Sequence, residues 1–272
     1  GTDGFTLGDH NESNDNGDNY ASWNWKANGA GSANTGGTIN STVSVNTTAG
    51  FSIVKYTGNG SSGATVGHGL GAVPKLIIIK GITNTSAENW REFHNSVSYG
   101  RLVLNDNDAV GNSTDFGANG SGGTITQNIN YFTIGDNARV NGNGDEFIAY
   151  CFAEKTGYSK FGSYTGNGNE DGAFVYTGFK PAFVMVKITS GQTDNWAMYD
   201  NKRNPFNLDT SQRLRANSTQ ADTTANGDLD FLSNGFKVHG SDGEINGSGF
   251  NYIYMAFGQS IVGSNNIPAT AR

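Results

Sequence analysis

Ser52-Ile53-Val54-Lys55-Tyr56-Thr57-Gly58-Asn59-Gly60 recurs as Lys160-Phe161-Gly162-Ser163-Tyr164-Thr165-Gly166-Asn167-Gly168. Alternating apolar and polar residues ending in a Thr-Gly-Asn-Gly turn read as a half-buried strand running into a tight reversal. Downstream, Val73-Pro74-Lys75-Leu76-Ile77-Ile78-Ile79-Lys80 is answered by Lys180-Pro181-Ala182-Phe183-Val184-Met185-Val186-Lys187. Asn89-Trp90 is answered by Asn195-Trp196, and Arg101-Leu102 by Arg213-Leu214. Each copy closes with an aromatic hairpin: Tyr131-Phe132-Thr133-Ile134-Gly135 with Phe147 to Phe152, then Gly235-Phe236-Lys237-Val238 with Tyr252 to Phe257. Tyr56 and Tyr164 lie 108 positions apart and Phe132 and Phe236 lie 104 apart, so one register holds across the unit. The pattern is a duplication.

The closing hairpin appears a third time at the start. Gly4-Phe5-Thr6-Leu7-Gly8 leads through a polar turn to Tyr20-Ala21-Ser22-Trp23-Asn24-Trp25. It reads as the tail of a unit whose front half is absent. Two strands alone are marginal in water, so residues 1–27 are expected to pack on the following domain or on a neighbouring subunit. Trp23 and Trp25 alternate and point to one packed face. The expected organisation is an orphan hairpin over 1–27 and a linker over 28–50 with one strand, Thr38 to Val45. Two β-sandwiches follow over 51–157 and 158–258, then a tail over 259–272.

Seven or so strands per unit, with turns every 8–12 residues, is the arithmetic of a sandwich. The fold class is all-β, as tandem antiparallel sandwiches of jelly-roll or lectin-like type. Leu76 to Ile79 is continuously apolar, which fits a strand covered on both faces. Pro74 and Pro181 precede that strand, where a missing N–H costs little. No segment carries a helical period.

Composition agrees. The 272 residues include 40 glycines and only 15% charged residues, while aromatics reach 11% and the apolar set 35%. That aromatic content excludes a disordered chain, and four prolines without a Gly-X-Y period exclude collagen. A net charge of −7 with scattered basic residues offers nucleic acid no footprint. No apolar run approaches membrane-spanning length, and the opening Gly1-Thr2-Asp3-Gly4 is no signal-peptide pattern. The single Cys151, between Tyr150 and Phe152, reads as a buried strand residue.

Catalytic patterns are scarce, and no enzymatic activity is expected. His10, His68, His94 and His239 share no metal-ligand spacing. Gly67-His68-Gly69-Leu70-Gly71 lacks the strand–turn–helix setting of a phosphate loop, so it reads as a turn. Glu88 and Glu92 flank Trp90 as a carboxylate pair could beside a sugar, and a surface strand beside a structural tryptophan accounts for them equally. Trp90 and Trp196, with Asn89 and Asn195 before them, are the candidate ligand-binding residues. An indole can stack on a sugar ring while amides bond its hydroxyls, whereas a tryptophan in a repeated position also suits a core. Asp9, Asn11, Asp15 and Asp18 crowd one turn with oxygen ligands. Calcium is the cofactor such a turn could take, without EF-hand spacing, and hairpin tips are rich in these residues anyway.

Taken together, Tyr56-Thr57-Gly58-Asn59-Gly60, Gly67-His68-Gly69-Leu70-Gly71, the aliphatic run ending at Lys80, Asn89-Trp90, Gly4-Phe5-Thr6-Leu7-Gly8 and Tyr20-x-x-Trp23-x-Trp25-Lys26-Ala27 have a familiar order. They resemble a repeat family in structural proteins of tailed bacteriophages, notably marine and cyanobacterial phages, labelled tail-fibre or virion proteins. The resemblance spans residues 1–258 and takes in Lys202-Arg203-Asn204-Pro205 and Pro268 to Arg272. It implies a non-enzymatic virion protein, extracellular in the assembled particle, that attaches to host-surface glycans. Its partners would be further copies of itself and other virion subunits. The alternative is an architectural filament or shell subunit that exchanges strands with neighbours through residues 1–27 or the tail Ile261 to Arg272. The second copy departs from the first where residues 67–71 become Val175-Tyr176-Thr177-Gly178-Phe179, so a function shared by both domains cannot rest on His68.

Overall fold

A computed structural model describes residues 4–83, 89–97, 100–117, 127–203, 207, 210–226 and 229–258. The chain is all-β, with antiparallel sheets packed as sandwiches. The first part carries β1 (Ser32–Asn34), β2 (Ser41–Asn46), β3 (Phe51–Thr57), β4 (Ala64–Gly67), β5 (Leu76–Gly81), β6 (Arg91–His94), β7 (Leu102–Val103), β8 (Tyr131–Ile134) and β9 (Glu146–Phe152). The second carries β10 (Ser159–Thr165), β11 (Asp171–Tyr176), β12 (Pro181–Ser190), β13 (Trp196–Asp200), β14 (Thr210–Arg215), β15 (Thr223–Asn226), β16 (Leu229–Leu232), β17 (Gly235–His239) and β18 (Asn251–Gly258). Two helical turns, α1 (Asn11–Asn14) and α2 (Ala138–Asn141), complete the set.

A large sheet in the order β1-β2-β3-β9-β5-β6-β7 is backed by the pair β4-β8. In the second unit, β10-β18-β12-β13-β14-β15 is backed by β11-β17-β16. Each closing strand, β9 or β18, lies between the first strand of its unit and the aliphatic one.

The alternation of β5 explains its unbroken apolar sequence. Ile77 and Ile79 join the core of the first sandwich, with Val54, Tyr56, Phe132 and Phe147. Leu76 and Ile78 face the other way into a third core that also holds Phe183, Met185, Met255 and Phe257. In β12, Val184, Val186 and Ile188 serve their own sandwich while Phe183 and Met185 serve the third core. The central strands of both large sheets are therefore buried on both faces, and the third core is the seam between the units.

The sheets cross steeply at the seam. Phe152, Leu76 and His94 form one row across the first sheet. Phe257 of β18 lies 5.7 Å from Phe152, centroid to centroid, while Tyr254 offers its carbonyl to His94 at 3.1 Å. The three-residue step along β18, about 10 Å, thus matches two strand spacings of about 4.8 Å, so β18 runs across the strands beneath it, as in orthogonal sheet packing.

Matched turns are locked alike. The Asn141 side chain receives Asn59 N at 2.8 Å and donates to Ser61 O and Gly135 O. Asn246 receives Asn167 N at 3.0 Å and donates to Asn169 O and Gly240 O. A Cβ on Gly58 or Gly166 would meet the carbonyl oxygen of Gly142 or Gly247, which is why glycine stands at both.

Two expectations are corrected. Residues 28–50 are no linker: β2 pairs along the whole of β3, from Ser41 opposite Tyr56 to Asn46 opposite Phe51, and Val43 is buried. The ladder forms because β3 has an open edge there, and the polar composition of β2 hides it in the sequence although only Thr42 of the strand is exposed. Residues 4–27 form no hairpin; apart from α1 they have no regular structure. An extended segment becomes a strand only beside a hydrogen-bonding neighbour, and among the described residues this strap has none. It is held instead by side chains, with Trp23 and Trp25 against Phe183 and with Asn46 Nδ2 donating to Lys26 O at 3.0 Å. Residues 1–3 and the tail 259–272, including Ile261 to Arg272, lie outside the described residues.

Candidate functional site

The repeated Asn-Trp pairs sit at matched corners where β6 and β13 begin. At the first, Trp90 N donates to Asn105 Oδ1 at 2.8 Å and Asn105 Nδ2 donates to Asn89 Oδ1 at 2.9 Å. At the second, Trp196 N donates to Asn217 Oδ1 at 2.9 Å and Asn217 Nδ2 donates to Asn195 Oδ1 at 3.0 Å. A lysine ammonium lies over each indole, Lys80 at 5.8 Å and Lys187 at 6.0 Å from the ring centre. Asn89 and Asn195 therefore clamp the chain beside β7 and β14 instead of reaching for a ligand. Asn105 and Asn217, which complete the clamps, escape sequence reasoning because each lies beyond a full strand.

Above the clamp the corners differ. Trp196 is only 2% exposed, and its indole N–H donates 2.9 Å to Val103 O of the first unit. Lys187 is fully buried and donates to Asn107 O at 3.0 Å, again across the seam, and to Asp194 O at 2.7 Å. Burial holds its pKa down at about 8, against the pull of Asp194 and Glu92. No sugar can stack on Trp196; it is a seam residue. Trp90 is half-buried, stacked on Tyr150 at 6.1 Å and 29°.

Glu92 and His94 extend the polar part of the seam. Both are buried beside Trp196, Met185 and Met255. His94 Nδ1 accepts from Ser96 N at 3.1 Å, so Nε2 carries the proton towards Tyr254 O and the ring is neutral. Desolvation holds its pKa down at about 4. Burial pushes the Glu92 carboxyl well above the carboxylate range, with Lys187 opposing. The space these residues enclose has no room for water, so they act as a lock between units. Glu88 lies outside the described residues, which leaves the carboxylate pair around Trp90 without a geometry.

An apolar groove of about 430 Å³ opens beside this lock. Trp23, Tyr150, Phe183 and Leu104 line it together with all three methionines of the chain, Met185, Met198 and Met255. A second hollow of about 500 Å³ lies on the other side of the strap, against Asp200 and Arg203. Arg203 pairs with Asp200 at 2.7 Å and lies over the Trp23 ring at 5.8 Å.

The acidic turn is organised by Tyr20. Its hydroxyl donates to Asn11 O and accepts from Asp15 N, each at 2.8 Å, while Asp15 Oδ1 takes Asn16 N. Asp9, Asn11, Asp15 and Asp18 border solvent. Among the described residues no three His, Cys, Asp or Glu side chains converge as a metal site would require. His68 is buried; Nδ1 accepts from Leu70 N at 3.1 Å and Nε2 lies 3.0 Å from Asn128 O. Thr177 performs the same turn closure in the second unit through Phe179. Cys151 is a buried free thiol.

Residues 1–260, from the strap through both units, match a family described as a domain of unknown function, DUF7483. The chain belongs to the DUF7483 family. No curated protein and no solved structure matches it. The DUF7483 match takes in the strap and both units together, and among the described residues no helix is long and apolar enough to cross a membrane.

Proposed function

We propose that this DUF7483 chain is an architectural, non-enzymatic module of a virion surface appendage, built to hold shape and position within a larger assembly. One observation carries the reading. Of the residues that sequence marks for ligand binding, Trp196 ties one unit to the other, with Lys187 beside it, and Asn89 and Asn195 close loops within the chain. The virion setting and extracellular location rest on the motif resemblance. Electron microscopy of the particle that yields the protein is the test: density for the two crossed sandwiches at a periodic position is expected, and a freely diffusing monomer that turns over or releases a small molecule overturns the reading.

Host-surface glycan attachment stays as a second reading at Trp90 alone, because that residue, with Lys80 over its ring, is half-buried where Trp196 is sealed. A glycan array separates the two: a saturable signal abolished by Trp90→Ala favours attachment, and no signal favours the architectural role.

A further inference from the structure

Three segments sharing one pattern meet at one point. Trp25, Phe152 and Phe257 hold the same place in Tyr20 to Trp25, Phe147 to Phe152 and Tyr252 to Phe257. Their rings form a closed triangle, 5.9 Å from Trp25 to Phe152, 5.2 Å from Trp25 to Phe257 and 5.7 Å from Phe152 to Phe257. The matched positions two residues earlier, Trp23, Tyr150 and Met255, line the groove together. The strap therefore stands to β9 and β18 as these stand to each other.

In both complete units the closing strand is flanked by two others, β9 by β3 and β5, and β18 by β10 and β12. Among the described residues, the strap has no backbone partner from Ala21 to Trp25 on either edge. Its outer face tells the same story. Phe5, Leu7 and Tyr20 are 58%, 45% and 48% exposed. Their counterparts Phe132, Ile134 and Phe147, and Phe236, Val238 and Tyr252, are all 0% exposed in the cores of their sandwiches. The strap carries side chains of core-facing type that no core among the described residues covers.

The contacts around the triangle run in one direction. The first unit offers β6 and the carbonyls of Val103 and Asn107 to β18, Trp196 and Lys187 of the second. The second offers Asp200, the counterpart of His94, to the hollow beside the strap. The remaining step, onto β9 and the Trp90 corner of the first unit, is the open groove.

We propose that the strap is the closing strand of a third unit of the same kind, and that three units surround the Trp25–Phe152–Phe257 axis as a pseudo-threefold ring. The partner is a front-half unit: strands equivalent to β3 through β7 without a closing strand of their own. It takes the strap between its two open edges, as in donor-strand complementation, buries Phe5, Leu7 and Tyr20, and covers Trp90 as Val103 covers Trp196. Ser22 and Asn24 would turn into the new core, where Asn24 Nδ2 already donates to Ser22 Oγ at 3.1 Å and the partner's strands would meet their remaining polar groups. The proposal does not depend on the virion reading.

The test supplies the missing half. One chain carries a copy of residues 51–130 ahead of Gly4, and a second carries a copy of residues 158–234 there. Hydrogen exchange at Ala21–Trp25 is compared with the unaltered chain. At least one fusion is expected to be a protease-resistant monomer whose strap amides exchange about 100-fold more slowly, as newly paired strand amides do. The proposal falls if in both fusions the added copy stays protease-sensitive or the strap amides keep the unaltered rate. It falls equally if the unaltered chain self-associates with those amides already protected, because the occupant is then a second copy.

Discussion

The corners at Trp90 and Trp196 share their chemistry and differ in their fate. Each has a lysine over the indole, an Asn pair closing the loop and a strand starting at the tryptophan or the residue after it. One is half-buried and stacks on Tyr150; the other is sealed under the neighbouring unit and donates to its backbone. A repeated motif thus specifies a local clamp, and what lies above the clamp decides whether the aromatic is an anchor or a surface. Position in the array, and not the motif, assigns the role.

Truncating the tryptophans should break the comparison most sharply. Trp196→Ala removes a fully packed side chain and orphans Val103 O, so a loss of about 3–5 kcal/mol in urea unfolding is expected. Trp90→Ala should lose about 1–2 kcal/mol, because part of its surface is already solvated. Equal losses would mean that burial at the seam adds nothing.

Acid tests the seam next. His94 is held neutral, with its pKa down at about 4. The unfolded chain takes up that proton near pH 6.5, so stability falls as pH drops from about 6.5 to 4, by up to about 3 kcal/mol. Glu92 runs the other way: its raised pKa makes its contribution complete below about pH 4.3 and diminishing as pH rises. The readout is therefore the difference between wild type and His94→Gln, which should lose the sloping component between pH 6.5 and 4. Asp200, the matched residue, has a lowered pKa, favoured by hydrogen bonds from Arg203 against the cost of burial. Its contribution is lost only as pH falls below the carboxylate range, and should survive in His94→Gln.

Lys187→Met strands the carbonyls of Asn107 and Asp194 and should cost about 2 kcal/mol. Lys80→Met at the open corner should stay within about 0.5 kcal/mol. The smallest contrast is the shared clamp. Asn105→Ala and Asn217→Ala should each cost about 1 kcal/mol, and a large difference between them would show that the clamps are not equivalent.

Much of this arrangement is legible in the residues. The unbroken apolar run at Leu76 to Ile79 announces a strand buried on both faces, and the Asn-Gly pairs at 141–142 and 246–247 mark the locked turns. β2 hides in a polar stretch, because Ser41, Thr42, Ser44 and Asn46 give it little apolar sequence although only Thr42 is exposed, and its pairing with β3 is what reveals its place. The strap misled for a different reason. Its sequence is that of a closing strand, but hydrogen-bond partners and not pattern make a ladder, and none of its own described neighbours supplies them. The Glu92–His94–Lys187 lock could not be read at all, since its members belong to strands that meet only when two sandwiches cross.

That crossing also governs the response to force. Tension applied along β18 shears its ladders to β10 and β12, whose bonds lie across the pull and must yield together. The same tension reaches the first sheet crosswise to its strands, in line with its ladder bonds, which open one after another. A molecule loaded this way has a stiff half and a yielding half, so the β3-β9-β5-β6 sheet would peel first and act as a mechanical fuse for the rest.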